Sequence, residues 1–159
     1  MLNYTPSTYG DSIAGRYDAW FAHVDPQMIE RLAELAAGGK VLELGIGTGR
    51  VALPLRERGV DIQGIDASSA MVEKLRGKPG GGGIPVHMGT FADFELKDRF
   101  ALVFVVFNTL FALSSQTEQV SCFRSVANVL AAGGRFLVEA FVPDVGRFDR
   151  GQTLRTVAV

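Results

Sequence analysis

Apolar and polar positions along the chain switch between two periods. Asp25-Pro26 supplies a cap and a first-turn proline, and Met28, Ile29, Leu32, Leu35 and Ala36 follow at helical spacing up to Gly38-Gly39. This spacing predicts a helix. Val41 to Leu44 then forms a short apolar strand, followed by the loop GIGTG and a helix over Arg50 to Arg58 that Gly59 closes. The unit repeats with a strand over Val60 to Ile65, ending in Asp66, and a helix over Ser68 to Arg76 that starts in Ala-Ser-Ser. Three further strands are expected at Val86 to Met88, Ala101 to Phe107 and Arg135 to Val142. A helix over Gln116 to Leu130 presents Val120, Phe123, Val126, Ala127 and Leu130 on one face and ends at Gly133-Gly134. Gly80 to Gly83 precede no helix and read as a flexible surface loop. The first 24 residues mix aromatic and polar side chains, with helical character only over Ile13 to Phe21, and read as a cap or lid on a domain spanning 25–159. Alternating strands and helices, with the fourth strand apolar on both faces, predict an α/β fold with a parallel sheet covered on each side.

Composition narrows the function classes. The chain has 159 residues, enough for one sizeable core. Sixteen lysines and arginines against 17 aspartates and glutamates leave a net charge of −1, so no basic face calls for nucleic acid. One cysteine and two histidines do not make a zinc cluster, and the absence of an internal disulfide suits a cytoplasmic setting. Phe100 to Leu113, the most apolar stretch, is shorter than a membrane-spanning helix requires, and no signal-peptide pattern opens the chain. The unusual count is 19 glycines, where a chain of this length ordinarily has about 11.

Their placement carries the chemistry. In an open parallel sheet the ligand lies beyond the carboxyl ends of the strands, at the point where strand order reverses. VLELGIGTGR stands there. Gly45, Gly47 and Gly49 permit a tight turn and close backbone approach, while the helix that follows offers free N–H groups to an anionic ligand group. Asp66 closes the second strand, where a carboxylate accepts the hydrogen bonds of a ribose diol. A dinucleotide fingerprint would need glycine at position 50, which is Arg50, so a nicotinamide cofactor is disfavoured without being excluded. The GxxxxGK[ST] phosphate loop is absent.

ELGIGTGR resembles the first motif of class I S-adenosylmethionine-dependent methyltransferases of the small-molecule type. GIDAS, MVEKLR, GTFADFEL, FALVFVVFNTLFAL and AAGGRFLVEAF resemble that family's later segments in order, over about residues 10 to 143. The resemblance implies a Rossmann-like sheet of order 3-2-1-4-5 and S-adenosylmethionine as cofactor. It implies that Glu43 and the backbone of Gly45 and Gly47 surround the methionine moiety, with Gly49 completing the loop. Asp66 would hold the ribose hydroxyls, Ala67 and Phe91 would lie beside the adenine, and Asn108 would sit where the methionine carboxylate or the acceptor approaches. SIAGRYDAWF resembles the family's lid helix, making Tyr17 the residue that closes over the cofactor, with Tyr9 behind it. Each position also has a structural reading: a surface strand residue for Glu43, a helix cap for Asp66, core for Phe91, a turn for Asn108, and packing on the sheet for the lid aromatics.

The implied reaction is methyl transfer to a nitrogen or oxygen of a small-molecule acceptor, an in-line displacement that depends on alignment and exclusion of water. No metal is expected. A base is optional; His23 is the one candidate near the lid, while His87 reads as structural. The chain departs from the family's pattern at Gly89-Thr90, where many relatives carry an aspartate, and at Ala101, where an aspartate commonly opens the strand. The family also completes its sheet with two further strands, so the chain is expected to be C-terminally truncated, with a sixth strand starting at 153–159. That leaves the edge of the fifth strand open to pair with a second copy. Two alternatives remain, a cofactor-binding module without turnover and a nicotinamide-dependent oxidoreductase.

Overall fold

Asp25 caps its helix as the sequence requires: its side chain accepts from the Gln27 N–H and Pro26 takes the first position. In this computed structural model, which describes residues 5–142, that helix is the third, after two short ones in the N-terminal segment. Helix α1 is Thr8–Ile13, α2 Tyr17–Phe21 and α3 Pro26–Ala36. Strand β1, Val41–Leu44, leads to α4, Ala52–Glu57, and β2, Ile62–Asp66, to α5, Ser69–Arg76. Strands β3, Val86–Met88, and β4, Phe100–Val105, are followed by α6, Gln116–Val129, and β5, Leu130–Val138. All four strand pairings are parallel, and the order is β3-β2-β1-β4-β5, as expected. β5 pairs on one side only among the described residues.

Two apolar clusters sandwich the sheet. On one face α3 and α4 bury Ile29, Leu32 and Leu55 against Val41, Ile62, Leu102 and Phe104. On the other, α6 covers Leu42, Leu44, Val103 and Val105. Each such leucine or isoleucine, nearly free of solvent, stabilises the fold by about 1.5–3 kcal/mol. No helix among the described residues is long and apolar enough to cross a membrane.

Several expected elements are corrected. Of the helix expected over Ile13 to Phe21 only Tyr17–Phe21 forms as one; a separate helix, Thr8–Ile13, precedes it, and Gly15, a poor helix former, lies in the break between the two. The two helices then dock on different elements, described below. β4 ends at Val105 rather than Phe107, because Phe107 and Asn108 take left-handed backbone angles, φ 58° and 63°. On α6 the buried stripe is Cys122, Ser125, Val126 and Val129; of the expected face only Val126 is fully buried. Val120 and Phe123 are exposed, and Phe123 stacks edge-on with Phe136 of β5. Gly133-Gly134 do not end that helix. They lie inside β5, at an irregularity where the partner of Phe100 is Leu130 but that of Leu102 is Arg135. A side chain at Gly134 would strike the Phe100 carbonyl oxygen, 2.8 Å from its Cβ, so the strand needs glycine to pass. The expected sixth strand lies outside the described residues.

Nor is the Gly80 to Gly83 stretch an open loop. Gly81–Gly83 form a single 3-10 turn, with Gly81 buried against the end of α5. Arg76 donates from one guanidinium nitrogen to the carbonyls of Gly81 and Ile84, tying the turn to the helix before it.

Candidate functional site

The site forms where β1 and β2 end side by side. Leaving β1, the chain reverses at Gly45, and the N–H groups of Gly45 and Ile46 both donate to the Ile65 carbonyl of β2. Gly45 has φ +73°, and a Cβ there would lie 2.5 Å from Thr109 Cγ2, so neither the angle nor the space suits another residue. The turn then meets the acid of β2. The Gly47 N–H donates to Asp66 Oδ2 at 2.7 Å, and the Ser68 N–H to Asp66 Oδ1 at 2.8 Å. Burial raises the Asp66 pKa, while those two N–H groups act in the opposite direction. A carboxylate has about four acceptor sites, so two remain for a ligand.

Two connected cavities open from this junction. The larger, about 660 Å³ and partly open, is lined by Gly45, Gly47, Asp66, Ala67, Met71 and Phe91, together with Tyr9 and Tyr17 of the N-terminal segment. The smaller, about 290 Å³, adds Glu43, Arg50 and Phe107. Tyr17, Gly45, Gly47 and Thr109 belong to both, so one extended molecule can occupy the two together.

Glu43 is the odd group in this architecture. It is buried in β1, and its Oε2 has no hydrogen-bond partner. Burial pushes its pKa well above the carboxylate range; the Arg50 charge pulls it back and Asp66 pushes it further up. A buried acceptor left unsatisfied costs about 1–3 kcal/mol, an expense proteins carry at sites that receive something. Arg50 stacks on the Phe107 ring, 4.5 Å from its centroid, and donates to the His23 carbonyl. Burial likewise raises the Tyr17 pKa, against the Arg50 charge, so its hydroxyl keeps its proton at neutral pH.

The N-terminal helices close the far wall. Ser68 caps α5 by accepting from the Met71 N–H, and its Oγ donates to Asp11 of α1 at 2.6 Å. That contact requires Gly10, whose added Cβ would lie 2.6 Å from Ser68 Cβ. Farther along, Thr48 Oγ1 donates to Asp18 Oδ1 at 2.6 Å, and Lys78 Nζ pairs with Asp18 Oδ2 at 2.8 Å. Burial works against the Asp18 charge, but its bonds to Lys78 and Thr48 prevail and hold its pKa low. Phe21 stacks on Phe107 and Tyr17 on Phe21, carrying the wall across to the turn that follows β4.

Of the residues singled out in the sequence, Tyr17, Gly45, Gly47, Asp66, Ala67 and Phe91 line the larger cavity and Glu43 the smaller. Gly49 and Asn108 line neither. Gly49 faces away: its Cβ would fall 2.4 Å from Leu75 Cδ1, so it lets α5 pack against the turn. The Asn108 side chain accepts from the Phe141 N–H, and its neighbour Thr109 faces the cavities instead. Thr109 was hidden because the left-handed pair Phe107-Asn108 alters which residue points inward. Arg50 was visible directly after the third glycine, but sequence reasoning weighed it only as a missing glycine. Ser68 and Met71 follow from the cap and first turn of α5, a signal read as purely structural. Neither histidine lines the cavities: His23 offers its backbone carbonyl to Arg50, and exposed His87 pairs with Gln63. Cys122 is buried in α6, its thiol pushed up to about 11 by burial, which keeps it protonated and unreactive.

Comparison with known proteins places this geometry. A family profile described as a methyltransferase domain matches residues 41–134. The cypemycin N-terminal methyltransferase of a Streptomyces species is 28% identical over 147 residues, covering 87% of this chain and 58% of that protein. Among solved structures, the CcbJ methyltransferase of Streptomyces caelestis is 42% identical with a TM-score of 0.76, covering 85% of this chain and 58% of the other. A sugar N-methyltransferase from a Streptoalloteichus species shares the fold at 22% identity, with a TM-score of 0.71, covering 96% of this chain and 60% of the other. The chain thus spans somewhat over half the length of the relatives it matches. With β1 through the start of β5 under the profile, and the same fold in these relatives, the chain belongs to the methyltransferase-domain family.

Proposed function

We propose that the joined cavities bind S-adenosylmethionine and that the protein transfers its methyl group to a nitrogen or oxygen of a small molecule. The observation that carries this reading is the junction of Gly47 and Asp66 beside a buried Glu43 oxygen without a partner. An extended ligand with a diol in the middle and a charged amino-acid end fits such a junction. Gly47 supports the fit: a Cβ there would project beside Asp66, 4.0 Å from Oδ2, so the backbone itself borders the space.

When bound, the cofactor supplies a methyl group activated by a sulfonium. Asp66 holds the ribose hydroxyls with its remaining acceptor sites, and Met71 and Phe91 give the adenine apolar walls. Glu43 accepts from the amino group of the methionine end, while Arg50 and the Tyr17 hydroxyl face its carboxylate. Tyr17 and Tyr9, as parts of a lid, keep water from the reacting atoms, where alignment does most of the work. A neutral amine needs only its lone pair delivered. Nitrogen is the acceptor named for the sugar N-methyltransferase, and it fits a site whose lining holds no histidine. The buried thiol of Cys122 is consistent with a cytoplasmic setting.

Calorimetry with S-adenosylhomocysteine tests the reading. Asp66→Asn should bind about 10- to 150-fold more weakly than the parent chain, the loss of charge-assisted hydrogen bonding worth about 1.5–3 kcal/mol. Equal affinity, or a response to NADH alone, would overturn it. If S-adenosylhomocysteine binds but a panel of amine and hydroxyl acceptors incubated with S-adenosylmethionine shows no methyl transfer, the chain is a cofactor-binding module without turnover.

A further inference from the structure

We propose that Asp18 and Lys78 form a charged latch that positions Tyr17 over the cavity, so that the loop after α5 sets how tightly the N-terminal segment closes. Three contacts make one closed circuit. Thr48 Oγ1 donates to Asp18, Lys78 pairs with Asp18, and Lys78 Nζ also donates to the Thr48 carbonyl at 2.8 Å. Thr48 lies within the glycine turn, between Gly47 and Gly49, and is buried. The circuit therefore joins α2, the turn that borders the ligand and the segment after α5. Asp18 directly follows Tyr17, so whatever fixes Asp18 fixes the tyrosine at the mouth of both cavities.

The rest of the molecule prepares the cation. Lys78 sits two residues beyond Arg76, which anchors the 3-10 turn through the Gly81 and Ile84 carbonyls. The tetraglycine stretch, otherwise without a role, thus holds a lysine at a fixed point against the N-terminal segment. α2 buries no residue completely, and α1 none either, so little apolar packing holds these helices down. The Lys78 and Asp18 side chains keep 29% and 42% of their exposure, within reach of screening by salt. Elements held by a few polar contacts open more readily than the core. Asp18 and Lys78 touch neither cavity, which makes them positioning residues that act through Tyr17.

The latch rests on the proposed cofactor site only for its effect on ligand release, and the test separates the two. Hydrogen exchange of the amides of residues 8–21 is measured in the cofactor-free protein for the parent chain, Asp18→Asn, Lys78→Met and the double variant. Each single variant should exchange about tenfold faster in this segment alone, and the double variant no faster than either single. The parent chain in 1 M NaCl should approach the variants, which salt leaves unchanged. Stopped-flow release of S-adenosylhomocysteine should accelerate about tenfold in step. Unchanged exchange in both single variants overturns the latch whether or not the ligand binds. Faster exchange with an unchanged release rate confines the pair to structure and overturns its positioning role. If the parent chain fails to bind S-adenosylhomocysteine, the cofactor reading falls, and the exchange data alone decide whether the latch exists.

Discussion

Residues 45–49 and residues 80–83 are the chain's two densest runs of glycine, and Asp18 of α2 is held by Thr48 within the first and by Lys78, two residues before the second. In the first stretch glycine is needed at the strand end, where the backbone turns under a cavity and meets Asp66 through Gly47. In the second, glycine is needed because α5 comes too close: the added Cβ of Gly81 would lie 1.9 Å from the Leu75 carbonyl oxygen. The first stretch borders the cavity directly. The second serves it at one remove, by holding Lys78 against Asp18. A glycine count does not separate these uses; what each missing Cβ would touch does.

The sharpest way to break this comparison is Gly81→Ala. The obstructing atom is backbone at the end of a helix, not the tip of a flexible side chain, so relief requires the turn to move away from α5. Overpacking of this kind costs about 3 kcal/mol. A domain of this size should lose about 10 °C in Tm by scanning calorimetry. Displacing the turn also displaces Lys78, so residues 8–21 should exchange faster as well. A Tm within about 2 °C of the parent chain would show that the second stretch is the loose loop its composition suggests.

A smaller effect tests what lies beneath the first stretch. Glu43 is a buried carboxyl with a raised pKa, so the stability it permits is complete below the ordinary value of 4.5 and is lost as pH rises through the folded value. Glu43→Gln has no such charge to bury. At pH 8 the variant without cofactor should be more stable by about 1–2 kcal/mol, and the difference should close as pH falls toward 4. Denaturant melts across that range read the difference. Its S-adenosylhomocysteine affinity should fall in the same preparations, the exchange of stability for binding expected of a site residue. A gap independent of pH, or a less stable variant at pH 8, would show that the carboxyl is satisfied and that the junction beneath the glycine turn is structural.

What could be read beforehand divides along the same line. Asp25-Pro26, the ELGIGTG turn and Asp66 are legible because each depends on chain neighbours: a cap needs its own first turn, and the strand-end acid meets the glycine turn through adjacent parallel strands. The buried face of α6 was misread because Cys122 and Ser125 are weak hydrophobic signals, whereas Val120 and Phe123 are strong ones turned outward. The start of β5 was missed because Gly133-Gly134 looks like a helix stop, and only the neighbouring Phe100 carbonyl makes those glycines part of a strand. Thr48, Lys78 and Asp18 are 30 or more residues apart in pairs that touch, and no local pattern marks them. Of the site, the strand-end junction was readable, while the closure over it depends on contacts between distant segments.

Gly82→Ala gives the smallest effect and sets the baseline for the others. It lies in the same 3-10 turn as Gly81, but a Cβ there meets nothing within 4 Å and its backbone angle is not in the left-handed region. Nothing in the folded chain requires glycine at this position. Alanine should then act through the unfolded state, whose freedom it reduces, and stabilise the protein by about 0.5 kcal/mol. For a domain of this size the gain is about 1–2 °C in Tm, within reach of replicate calorimetry. Residues 8–21 should exchange as in the parent chain, because Lys78 does not move. A loss of stability instead would mean that the weak contact from Arg76 to the Gly82 carbonyl, 3.4 Å, constrains the turn more than its geometry suggests. The distinction between glycines needed for space and glycines merely present would then fail within a single turn.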